Sequence, residues 1–73
     1  MRTIVSLSPL ERRMIAKEYA SSPIEGIDKA INLCDKICGY DPQNENISVT
    51  EMLKYIDVRS GFMLGVIAMY AAM

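Results

Sequence analysis

The segment Gly61 to Met73 reads GFMLGVIAMYAAM. No charged side chain occurs anywhere in it. A helix that is apolar on every face has to be surrounded, by other protein or by lipid. Extended back to Val49, the segment resolves into three stripes. The first is Val49, Leu53, Ile56, Ser60, Met63, Ile67 and Tyr70, a seam of coiled-coil type. The second is Met52, Tyr55, Arg59, Phe62, Val66, Met69 and Met73, and the third is the small set Gly61, Gly65, Ala68 and Ala72. The pattern predicts one helix over residues 49–72. The uncharged run is shorter than the roughly 18 to 20 residues that span a bilayer, and lengthening it brings in Asp57 and Arg59. The expectation is therefore protein burial and no membrane.

The rest of the chain is too small to provide that burial alone. With 73 residues, 51% of them hydrophobic, 23% charged and a net charge of -1, it is one domain spanning 1–73 and not a disordered segment. A chain of this size buries only about 60% of its unfolded surface. Disulfides, a metal or oligomerisation usually make up the difference. Two cysteines and no histidine give neither a disulfide framework nor a four-ligand zinc site within one chain, so no metal or cofactor is expected. Oligomerisation is left. The predicted subunit interface is Gly61, Phe62, Met63, Gly65, Val66, Ala68, Met69 and Ala72, where small residues let a second backbone approach.

Helix starts are marked by Ser8-Pro9-Leu10-Glu11, Ser22-Pro23-Ile24-Glu25 and Ser48-Val49-Thr50-Glu51, each a Ser-x-x-Glu frame suited to a capping box. Proline at the first helical position strengthens the first two. Helices are predicted over 9–20, 23–38 and 49–72. Leu10, Met14 and Ile15 are the expected apolar side of the first. Ile24, Ile27, Ile31, Cys34 and Cys38, widened by Ala30 and Ile37, form that of the second, and Gly39 suits the left-handed residue after it. The polar stretch Tyr40 to Ile47 is long enough to reverse the chain. The predicted architecture is all-α: a short N-terminal helix plus an antiparallel pair of longer helices, assembled as a homo-oligomeric helical bundle.

Without histidine the usual general base and the Ser-His and Cys-His pairs are missing, so the protein is not expected to be an enzyme. Charge is uneven. Arg2, Arg12, Arg13 and Lys17 gather at an N-terminal end that has only Glu11 against them. The plain reading is a solvated helix face; the sharper one is a phosphate site, too narrow for duplex nucleic acid. Arg59, between Tyr55 and Phe62 on an apolar stripe, must reach solvent, pair with a carboxylate (Asp57 of another copy, Glu51 or Asp35) or meet a ligand phosphate. Tyr19, Tyr40, Tyr55 and Tyr70 are stacking candidates. The candidate ligand-binding set is Arg2, Arg12, Arg13, Lys17, Tyr19 and Arg59. Cys34 and Cys38 read as small buried hydrophobes, reduced in a cytoplasm, and no secretory leader is recognised.

Leu7-Ser8-x-x-Glu11 at the first helix, with Asp57-Val-Arg-Ser-Gly-Phe-Met63 ahead of an apolar tail, resembles the small phage proteins that antagonise CBASS immunity by sequestering cyclic oligonucleotides. The match covers the two ends of the chain and carries over Arg2, Gly61, Phe62 and Met63 by position. Those proteins tend to have an arginine a few residues after Gly-Phe-Met, and Val66 to Met73 has none. The resemblance implies a cytoplasmic homo-oligomer of helical hairpins that holds cyclic dinucleotides or related cyclic oligonucleotides at subunit interfaces, breaking no bond. The competing expectation is a homo-oligomeric interaction or inhibitor module without a small ligand.

Overall fold

A computed structural model describes residues 1–44 and 46–71. It contains a 3-10 turn over Ile4–Ser6 and three helices, α1 (Pro9–Ala20), α2 (Gly26–Cys38) and α3 (Val49–Ala71), with no strand among the described residues. The all-α expectation holds. Ala72 and Met73, predicted to end the third helix and to lie on its stripes, fall outside the described residues.

The first capping box forms in full. Glu11 N–H donates to Ser8 Oγ (3.1 Å), and Glu11 Oε1 accepts from Ser8 N–H (2.9 Å). The second forms by half. Glu25 N–H donates to Ser22 Oγ (3.0 Å), yet Pro23 to Glu25 make a turn and α2 begins at Gly26. The predicted start at Pro23 is thus corrected by three residues, and the cause is tertiary. Gly26 lies so close to the Tyr19 carbonyl that a Cβ there would overlap its oxygen. Residues 23–25 are used to turn the chain into that contact. Ile24 consequently leaves the apolar stripe and is 89% exposed. At 13 residues α2 barely exceeds α1 at 12, so only α3, at 23, is long. At about 1.5 Å per residue, α3 accounts for most of the molecule's 40 Å long dimension.

The end of α2 follows the sequence. Gly39 takes φ 73°, its N–H reaches the Lys36 carbonyl (3.3 Å), and Tyr40 N–H reaches that of Asp35 (2.9 Å), the Schellman arrangement.

Packing departs from the predicted stripes on two helices. In α1 the buried residues are Ile15 and Ala16, while Leu10 and Met14 are exposed. In α3 the buried residues are Tyr55, Met63 and Val66, drawn from the first two of the three predicted stripes, because the face turned to the core lies between those two. The core joins these to Ala30, Cys34 and Cys38 of α2 and to two residues from the N-terminal arm, Ile4 and Leu7. The arm is fastened at both ends. Arg2 N–H donates to the Cys38 carbonyl (2.7 Å), and Arg12 donates from Nη2 to the Ile4 carbonyl (3.1 Å) and from Nε to that of Leu7 (3.3 Å). Among the described residues no helix is long and apolar enough to cross a membrane.

Candidate functional site

Two contacts set α1 beside the second half of α3. The Arg12 guanidinium lies 5.7 Å over the Phe62 ring, and Tyr19 meets Tyr70 with ring centroids 5.8 Å apart. Between these contacts runs an open groove of about 480 Å³, within the size range of small-ligand sites. Arg12, Arg13 and Ala16 form its α1 wall. Its α3 wall includes Gly61 and Gly65, and a Cβ built on either glycine meets nothing within 4 Å. Phe62, Met69 and Tyr70 supply apolar and aromatic surface.

The six candidate ligand-binding residues do not converge. Arg12 and Arg13 line the groove, Tyr19 meets Tyr70 at its end with the ring planes tilted by 57°, and Lys17 is exposed one turn beyond Arg13. Arg13 and Lys17 make no ion pair among the described residues. Arg2 lies elsewhere. Its guanidinium donates to both Glu11 carboxylate oxygens (2.6 and 2.8 Å) and to the Ser6 carbonyl (3.1 Å). Hydrogen bonding from Arg2, then from the Ser8 N–H, holds the Glu11 carboxyl down at about 2.

Arg59 is paired within the chain. Its Nη1 donates to Asp35 Oδ2 (2.7 Å), and its guanidinium sits 5.7 Å from the ring centres of both Tyr40 and Tyr55. Tyr55 donates its hydroxyl to Asp35 Oδ1 (2.6 Å) and stacks on Tyr40 at 4.6 Å. Burial first, and the hydrogen bond to Asp35 next, push the Tyr55 phenol upward, so it stays a donor. Burial likewise pushes the Cys34 thiol up to about 11. Protonated, it is a poor nucleophile and metal ligand. This cluster therefore joins α2 to α3. Sequence reasoning named Asp35 among the possible partners of Arg59 but missed that Tyr40 and Tyr55 enclose the pair.

Of the predicted interface residues, Met63 and Val66 are buried in the chain's own core and Phe62 is half-buried under Arg12. Gly61, Gly65, Ala68 and Met69 are exposed, and Ala72 lies outside the described residues. A second hollow, of about 470 Å³, opens between the N-terminal arm and the first half of α3, where Met1, Val5, Lys54 and Val58 line it.

Compared with family models, curated proteins and solved structures, the chain finds no match.

Proposed function

We propose that this chain is a homo-oligomeric, all-helical binding protein that sequesters a cyclic oligonucleotide, a cyclic dinucleotide or a related species, at sites shared between subunits, without cleaving it. The observation that carries this reading is the groove between α1 and α3. It offers Arg13 at the wall, a cation with no ion pair among the described residues, and a second, Lys17, one turn on. Phe62 and Tyr70 provide ring surface beside them. A cyclic oligonucleotide needs those groups, cations for its phosphates and aromatic faces for its bases. The groove is open on one side, which suits completion by a second copy. An antiparallel course of α2 and α3, as in a helical hairpin, is supported by Asp35 late in α2 meeting Tyr55 and Arg59 early in α3, and by Ile27 early in α2 sharing a hollow with Ile67 late in α3. Such a sponge would act in the cytoplasm of an infected host, by lowering the free concentration of an immune second messenger.

Isothermal titration against a panel of cyclic di- and trinucleotides tests the reading. One member is expected to bind the wild-type protein, with binding lost in Arg13→Ala while the native mass stays the same. No heat from any member of the panel sinks it.

A second reading, an interaction or inhibitor module with no small ligand, is favoured by one specific observation. Arg2, Arg12 and Arg59 are already engaged by Glu11, by carbonyls of the arm and by Asp35. On that reading native mass spectrometry returns an oligomer free of small molecules, and Arg13→Ala changes nothing in the titration.

A further inference from the structure

Glu51, Lys54, Val58, Gly61, Gly65 and Ala68 follow one another along α3 at spacings of three and four, and all six are exposed. They therefore lie on a single face. This face borders both hollows: Lys54 and Val58 line the one beside the arm, Gly61 and Gly65 the one beside α1. The face changes character along its length. Its first half projects two charged side chains and a valine that is 46% exposed. Its second half is bare backbone and one methyl, with open space where the glycine side chains would be.

Resting on the self-association proposed above, we infer that α3 pairs with α3 of a second copy in antiparallel orientation, about a two-fold axis near Gly61, with Val58 of each copy filling the gap at the other's Gly61 and Gly65. Shape and charge both select this orientation. A parallel, in-register pair would set valine against valine and glycine against glycine, leaving a void over the small half. It would also oppose Lys54 to Lys54 and Glu51 to Glu51, and facing like charges are destabilising. Reversal sets Lys54 and Val58 of one copy against Ala68 and Gly65 of the other, and leaves glycine facing glycine only at the axis, where the backbones come closest, the condition for close packing. It also carries Lys54 over the last described turn of the partner's α3, which has no cation of its own although a helix C-terminus favours one. A two-fold contact needs a surface complementary to itself, and this face meets that need only when reversed.

Single cysteines read the orientation directly. In the antiparallel pair two Gly61 positions are nearly level, whereas two Val58 or two Gly65 positions are offset by about 10 Å along the axis. Disulfides need Cα atoms within about 7 Å. Under mild oxidation Gly61→Cys is expected to run mostly as a covalent dimer. Val58→Cys and Gly65→Cys alone should stay uncrosslinked, while an equimolar mixture of the two should form the heterodimer. Cys34 and Cys38 are buried, so the parent chain serves as the uncrosslinked control. Crosslinking of all three single variants, or of none in a chain that is oligomeric by native mass, overturns the antiparallel pairing and leaves self-association standing. A monomeric native mass at tens of micromolar overturns self-association itself.

Discussion

Glu11 joins two local structures, the α1 cap and the N-terminal arm. Its carboxylate accepts the Ser8 N–H that closes the α1 capping box and two bonds from Arg2 that hold the N-terminal arm against it. Because the folded carboxyl is depressed from an ordinary 4.5 to about 2, its contribution is complete above pH 4.5 and disappears as pH falls toward 2. Thermal melts of the wild type should therefore lose stability across that window. Arg2→Ala should flatten this dependence and move the Glu11 carboxyl resonance midpoint up toward 4.5. A wild-type Glu11 that titrates near 4.5 in an NMR pH series would remove the basis for the prediction. Arg59 illustrates how far single residues were legible. An arginine on an apolar stripe announces that a partner exists, and Asp35 was among the choices. Nothing local selects it, since the two are 24 positions apart and meet only once α2 packs on α3. The same limit hid the Tyr40–Tyr55 stack around them.

At the scale of elements, three similar Ser-x-x-Glu frames produce unequal caps. Ser8 and Glu11 reciprocate, whereas at Ser22 and Ser48 only the serine oxygen is used, at 3.0 and 3.2 Å. Replacing an N-cap serine by alanine typically costs about 1 kcal/mol. Ser8→Ala is expected to reach or exceed that, because it also loosens Glu11 and through it Arg2. Ser22→Ala, in a turn outside α2, should cost clearly less, as urea denaturation of the two variants would register. Equal losses would mean that the reciprocal bond adds nothing. The caps made helix existence and the ends of α1 legible, and Gly39 did the same for the end of α2, since those signals act within a few residues. The start of α2 was misread because the decisive contact, Gly26 on the Tyr19 carbonyl, joins two helices. The arm went unread for a related reason. A single 3-10 turn has no periodicity to detect, and burial of Ile4 and Leu7 depends on the surfaces of α2 and α3 that receive them.

At the scale of the whole molecule, the core is narrow for the length of α3. Two helices of about half its length can cover one side only, and Leu53, Val58, Leu64 and Met69 remain exposed along the other side, with Leu10 and Met14 on α1. Each large apolar side chain moved out of water contributes about 1.5 to 3 kcal/mol when fully buried. A few of them covered by a second copy would rival the 5 to 15 kcal/mol that typically holds a domain together. Folding and assembly should then be linked, and the linkage has a direct signature. When the folded state associates and the unfolded chain does not, stability rises with the logarithm of protein concentration. The melting temperature should climb steadily between about 1 and 100 micromolar, the concentrations over which such linkage is read by calorimetry and circular dichroism. Leu64→Lys, which charges the open side of α3 without touching the core, separates two contact surfaces. If the contact follows the Val58–Gly61–Gly65 face, the concentration dependence survives this substitution and is lost in Val58→Lys. If it spreads across all the exposed apolar residues, both variants abolish it. A melting temperature independent of concentration in the wild type would mean that the exposed side of α3 is tolerated by a monomer.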